Sequence, residues 1–165
     1  MAMGFFNDQE KEYVITDMYP KRNLLNYLWN DTTVCACDQF GFGTSWSVIN
    51  GVRNLTIHNG ERIIYIKDLD EGEYFSPNRN YKKQKFDVFE CHVGIDYQKV
   101  VSEYKGIRVE FTTLVPSIGN EILFSVKVAN PRRSADTINA AKSCRIWCCR
   151  KEICHTYKFI IFRRV

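Results

Sequence analysis

No stretch of the 165-residue sequence approaches the roughly 18 consecutive apolar residues of a membrane-crossing helix. The opening residues, MAMGFFNDQEKEYVIT, lack the basic flank and apolar core of a secretory signal. Together these absences set the expectation of a cytoplasmic chain that meets no membrane. The Gly-x-Ser-x-Gly elbow of a hydrolase, a phosphate-cradling glycine loop and a Cys-x-x-Cys pair are all missing. The local signatures of acyl transfer, nucleotide binding and thiol redox chemistry are therefore absent too. There is no internal repeat and no low-complexity segment. Helical periodicity is weak, and only Lys21–Trp29 is expected to manage a turn or two of helix.

Charge and cysteine are present but unevenly placed. Residues 131–165 hold nine Lys/Arg and two Asp/Glu, leaving fourteen and seventeen in the preceding body, so the net +4 conceals a mildly acidic body and a strongly basic tail. Cys35, Cys37 and Cys91 lie in the body, and Cys144, Cys148, Cys149 and Cys154 in the tail. Seven is odd and the spacing fits no disulfide framework, so reduced thiols are expected. The length suits one domain with its own core, and aromatics at 14% mark a globular chain.

What fills the body is strand signal. Tyr97–Tyr104 and Ile107–Val115 alternate around Lys105-Gly106, predicting a hairpin with Val109, Phe111 and Thr113 on one face. Glu121–Val128 places Ile122, Phe124, Val126 and Val128 inward, with Ser125 and Lys127 outward. Asp87–Val93, Val34–Phe40 and Thr44–Ile49 add shorter strands, the last two joined by a tight Gly41-Phe42-Gly43 turn. Thr56–His58 and Glu61–Ile66 flank Asn59-Gly60, whose ready adoption of positive φ predicts another hairpin. Many short strands joined by Gly, Asn and Pro turns predict an all-β, antiparallel β-sandwich.

Candidate chemistry is sparse. Asp68-Leu69-Asp70-Glu71-Gly72-Glu73 offers calcium ligands, but its glycine is fifth and the twelfth residue is Arg79, so a solvated turn is the simpler reading. Cys35-Ala36-Cys37 puts two thiols on one face of a strand, read as structural. The tail run CRIWCCRKEICH has soft ligands without zinc spacing, and no metal is expected. His58, His92 and His155 show no orienting partner in the sequence, and no catalytic residue can be named. The basic tail with Tyr157, Phe159 and Phe162 is weak ground for nucleic acid, and none is expected. Asn30-Asp31-Thr32 and Asn54-Leu55-Thr56 match the glycosylation pattern, read as chance in a cytoplasmic chain.

The remaining signal is aromatic. Trp29, Phe40, Phe42, Trp46, Tyr74, Phe75 and Tyr81 sit at strand ends beside Asn and Asp, as at sugar-binding surfaces, where ring faces cover pyranose C–H bonds while amides and carboxylates bond the hydroxyls. For any single ring, filling the sandwich core is the alternative. Phe42, Trp46 and Tyr74 are the carbohydrate-stacking candidates.

Five ordered segments carry a resemblance: GFFNDQEKEYVIT, then NYLWND with FGFGTSW, then RIIYIKDLDEGEYFSP, then FECHVGIDYQKVVSEYKGIRVEFTTLVP, then EILFSVKVANP. Together they resemble the N-terminal domain of glycoside hydrolase family 94, the cellobiose and chitobiose phosphorylases and cyclic β-1,2-glucan synthases. The resemblance implies a galactose-mutarotase-like super-sandwich preceding an (α/α)6 barrel that carries the general acid. It also implies inverting cleavage of a β-glucoside or related oligosaccharide, with inorganic phosphate as co-substrate and no other cofactor, in a homodimer. Within that pattern Asp68–Pro77 is a strand–turn–strand piece of architecture, with Tyr74 and Phe75 as packing aromatics. Cys91-His92-Val93-Gly94-Ile95-Asp96-Tyr97 departs from the family's Cys-Arg-His-Gly-Leu-Gly-Tyr, which puts any polar role of that segment in doubt.

The organisation expected is a sandwich domain over 1–131 and a basic, cysteine-rich tail over 132–165. The tail is read as a truncated or frameshifted ending, which leaves the sandwich incomplete. Its last residues, HTYKFIIFRRV, have strand content and are expected to add a strand to an exposed edge. Without the barrel the chain is expected to be inactive by itself, a structural or carbohydrate-binding domain. A free-standing carbohydrate-binding module is the alternative.

Overall fold

Lys105 and Gly106 both take left-handed backbone angles, φ 49° and 76°, the combination that a type I′ turn requires. The turn folds β10 (Tyr97–Tyr104) onto β11 (Ile107–Leu114), in register from Tyr104↔Ile107 to Tyr97↔Leu114. Along β11 burial alternates strictly: Ile107, Val109, Phe111 and Thr113 are buried, and the residues between them half-exposed. Strand β12 (Ile122–Ala129) pairs with β11 and buries Ile122, Phe124 and Val126 while Ser125 and Lys127 face solvent. The described residues, in a computed structural model, are 3–22, 24–57, 63–68, 71–78, 85–129, 144–148 and 157–161.

On its other side β10 pairs with β9 (Val88–Val93), which pairs with β2 (Glu12–Ile15), and β1 (Gly4–Asn7) forms the far edge. At the opposite edge β14 (Tyr157–Ile161) runs parallel to β12, from Ile122↔Tyr157 to Val126↔Ile161. The result is a seven-stranded sheet in the order β1-β2-β9-β10-β11-β12-β14.

A four-stranded sheet runs in chain order through β3 (Asn26–Trp29), β4 (Thr33–Cys37), β5 (Ser45–Ile49) and β6 (Val52–Ile57). A three-stranded sheet has β7 (Ile64–Asp68) between β13 (Cys144–Cys148) and β8 (Tyr74–Phe75). One apolar cluster joins all three: Leu28, Cys35 and Cys37 from the four-stranded sheet, Ile64, Ile66 and Phe75 from the three-stranded one, and Val109, Phe111, Phe124 and Val126 from the seven-stranded one. The fold is therefore an all-β sandwich of antiparallel sheets, with β12–β14 the one parallel pair among the described residues.

Two expectations differ from the structure. The described residues of Lys21–Trp29 include no helix, because Asn26–Trp29 is claimed by the antiparallel pairing with β4, from Asn26↔Cys37 to Trp29↔Val34. Strands β6 and β7 are not hairpin partners; they lie in different sheets. The Asn-Gly that makes the hairpin is Asn50-Gly51, φ 53° and 75°, joining β5 to β6 at Ile49↔Val52. Asn59-Gly60 lies outside the described residues.

Side chains close the turns. After β4, Asp38 Oδ1 accepts from the backbone N–H groups of Phe40 and Phe42, both at 2.9 Å. Within that loop Gly41, φ 77°, packs against the core so closely that a Cβ would stand 3.1 Å from the Phe111 ring. Asn30 binds two segments: its Oδ1 accepts from the N–H of Thr32 and Thr33, and its Nδ2 donates to the carbonyls of Pro116 and Gly119 at 2.7 Å each. That amide ties the four-stranded sheet to the loop between β11 and β12.

Candidate functional site

The three sugar-stacking candidates occupy three different settings. Phe42 lies in the loop after β4, its ring 6.0 Å from that of Phe40, which in turn lies 5.6 Å from Phe89 and 6.0 Å from Tyr19. Trp46 is on β5 and only partly exposed, with the Arg53 guanidinium carbon 4.1 Å above its ring. Tyr74, on β8 and 49% exposed, meets Tyr65 edge-on at 6.5 Å. Its neighbour Phe75 points inward and packs 5.0 Å from Tyr104. Of the two aromatics in that segment, Phe75 is thus the core residue and Tyr74 the surface one. Tyr81 lies outside the described residues.

The densest polar cluster is one the sequence reading missed. Glu12 on β2 is almost wholly buried, its side chain 2% exposed. Its Oε1 lies 2.6 Å from His92 Nδ1 and 3.3 Å from Asn7 Nδ2, while Oε2 accepts from the Tyr97 hydroxyl at 2.5 Å. On its far side His92 Nε2 lies 3.1 Å from Glu90 Oε2. His92 thus has two carboxylate partners, contrary to the sequence reading that it lacked one. Both contacts are hydrogen bonds only when both ring nitrogens carry protons.

Burial alone would raise the Glu12 carboxyl. The hydrogen bonds from Tyr97 and His92, with the positive charge of His92 and Lys99, outweigh burial and leave it below the ordinary carboxylate value. Glu12 is shielded by these immediate neighbours on the strands and not by depth in the apolar core. Tyr97 responds oppositely: burial, then its bond to Glu12 and the charges of Glu12, Glu10 and Asp96, push the phenol up to about 12. Gly94 gives this ring its room, since a Cβ there would overlap it. The His92 ring is engaged at both nitrogens and both Glu12 oxygens are occupied. The cluster therefore braces β1 and β2 against β9 and β10. Its one local trace is Glu90 and His92, two apart on β9 and so on one face; Glu12 lies 80 positions from His92.

The thiols are structural in setting. Cys35 and Cys37 are fully buried on β4 with sulfurs 3.7 Å apart, far beyond the roughly 2.05 Å of a disulfide. Cys91 is held as a neutral thiol chiefly by burial, and further by Cys37 and Asp38. In the acidic turn after β7, Asp68 is buried; its Oδ1 accepts weakly from Glu71 N–H at 3.4 Å and its N–H donates to the Glu73 carbonyl at 2.8 Å. Asp68 thus organises the turn itself, although Leu69 and Asp70 lie outside the described residues. Among the described residues no group of three or more His, Cys, Asp or Glu is placed to hold a metal. His58, Cys149, Cys154 and His155 lie outside them. None of the described residues forms a helix long and apolar enough to cross a membrane.

Comparison with known proteins supplies what the geometry leaves open. The profile of the glycosyl hydrolase 94 supersandwich domain matches residues 11–155. A 3-O-beta-D-glucopyranosyl-beta-D-glucuronide phosphorylase of Paenibacillus borealis is 32% identical over 129 residues, covering 78% of this chain and 16% of that protein. A solabiose phosphorylase of the same organism is 29% identical, covering 78% and 18%. An N,N'-diacetylchitobiose phosphorylase of Vibrio proteolyticus is 26% identical over 149 residues, covering 85% and 19%. The chain spans less than a fifth of the length of each of these relatives. Sandwich fold, matched span and relatives agree: the chain belongs to the glycosyl hydrolase 94 supersandwich domain family.

Proposed function

We propose that the chain serves as a carbohydrate-facing sandwich domain that is non-catalytic by itself, of the kind carried by glycoside phosphorylases. The observation that carries this reading is the matched span, residues 11–155 of a domain family whose relatives here are phosphorylases by name. In a parent of that kind, a separate (α/α)6 barrel holds the general acid. Inorganic phosphate attacks the anomeric carbon of a β-linked disaccharide with inversion, the glycosidic oxygen leaves with the acid's proton, and a sugar 1-phosphate forms. The sandwich supports that barrel, contributes to a homodimer and helps wall the sugar site. Buried, reduced cysteines at positions 35, 37 and 91 are in keeping with a cytoplasmic setting.

A second reading, a free-standing carbohydrate-binding module, draws on the exposed aromatic rings. Calorimetry of the full chain with cellobiose, N,N′-diacetylchitobiose and maltose tests the saccharide part of both. Heat from a β-linked sugar and none from maltose is expected. Silence with every β-linked saccharide would leave the domain a support element only.

A further inference from the structure

The outward face of the four-stranded sheet is unusually apolar for a surface. Register runs Trp29↔Val34, Val34↔Trp46 and Trp46↔Leu55, so one row crosses all four strands with its side chains on one side. The row beneath points the other way, with Leu28 and Cys35 in the core. Trp29 is 70% exposed and Leu55 61%; Tyr27, two residues before Trp29 on the edge strand and on the same face, is 52% exposed. Arg53, diagonal to Trp46, lays its guanidinium on that indole.

We infer that this face is a platform for a β-linked gluco-oligosaccharide, with Tyr27 and Trp29 as the stacking rings and Arg53 as the hydroxyl-binding group. The inference rests on the saccharide reading above and gives it a place. Tyr27 and Trp29 stand about 7 Å apart along the strand, so successive sugar units can cover successive rings. A β-linked glucosyl unit has equatorial substituents and flat apolar C–H faces, which suit rings on a sheet; an α-linked chain curves away from such a surface.

Sugar binding needs a few oriented donors beside apolar area, and the planar guanidinium of Arg53 is held in place by Trp46 through a cation–π contact. One face of Trp46 is thereby taken, which makes it the seat of Arg53 and leaves the stacking to the two rings on β3. Four strands at about 4.8 Å spacing by four residues give roughly 250 Å². A stable protein partner needs about 800 Å² per side. The patch suits a small ligand and falls short of a dimer interface.

The full 165-residue chain is titrated with cellotetraose and maltotetraose by calorimetry and tryptophan fluorescence, as wild type and as Trp29→Ala, Arg53→Ala and Phe5→Ala. Cellotetraose is expected to bind and maltotetraose not. Trp29→Ala should weaken binding tenfold or more and Arg53→Ala several-fold, both with unchanged melting temperature, while Phe5→Ala, exposed on β1 at the far edge of the seven-stranded sheet, changes nothing. Cellotetraose binding that survives both Trp29→Ala and Arg53→Ala overturns the platform and leaves the saccharide reading standing. Absence of binding to any β-linked saccharide overturns both. A dimer that Trp29→Ala converts to monomer, with no saccharide effect, assigns the face to a second copy and also overturns the proposal.

Discussion

Glu12 shows how much one buried carboxylate can organise. It collects Asn7 from β1, His92 from β9 and Tyr97 from β10, so its loss strips hydrogen bonds from three strands at once. Glu12→Ala should cost about 1–3 kcal/mol, from groups left without their partner. For a chain of this size that is a fall of about 2–4 °C in Tm per kcal/mol, read by thermal denaturation. The titration signs are opposite at the two ends of the pH scale. Glu12 is lowered in the folded state, so its stabilisation is present above the ordinary carboxylate range and fades as pH falls through the folded value. Tyr97 is raised to about 12, so its contribution is intact below about pH 10, the ordinary phenol value, and is lost as pH climbs towards 12. Tyr97→Phe should remove that alkaline loss; stability profiles that coincide for the two proteins above pH 10 would count against the assignment. None of this was legible in the sequence, because partners 80 and 85 positions apart leave no local pattern.

Strand identity was far more legible than strand pairing. Val109, Phe111, Ile122, Phe124 and Val126 could be placed in the core from alternation alone, since period-two burial needs only one buried face. Lys105-Gly106 announced its hairpin correctly. Asn59-Gly60 carried the same local chemistry as Asn50-Gly51, and only tertiary pairing shows that β5–β6 is the hairpin. The alternation Asn26-Tyr27-Leu28-Trp29 would have revealed the exposed ring pair had the segment been read as a strand. Glycines separate two kinds of turn cost. Gly41 and Gly51 share nearly the same positive φ, but a Cβ meets the Phe111 ring only at Gly41 and nothing within 4 Å at Gly51. Both alanine variants carry about 1–2 kcal/mol of left-handed strain; Gly41→Ala should add overpacking and unfold at clearly lower denaturant. Equal midpoints would mean that the loop yields freely.

At the scale of the molecule, both edges of the seven-stranded sheet matter, since an unpaired edge recruits other chains. Strand β14 covers β12 along Ile122–Val126, and a chain ending at Pro131 should aggregate or change oligomeric state, as light scattering would show. If it stays monodisperse with the same melting temperature, β14 is dispensable. The family was legible from five ordered segments because each fixes a strand or turn of the sandwich, whereas the exposed aromatic face depends on register across β3 to β6. We propose this sandwich as a supporting, saccharide-facing domain without chemistry of its own. Its most direct measurement incubates the pure full chain with cellobiose and inorganic phosphate and assays glucose 1-phosphate. None is expected above a protein-free control, and time-dependent release proportional to protein would show that the sandwich has chemistry of its own.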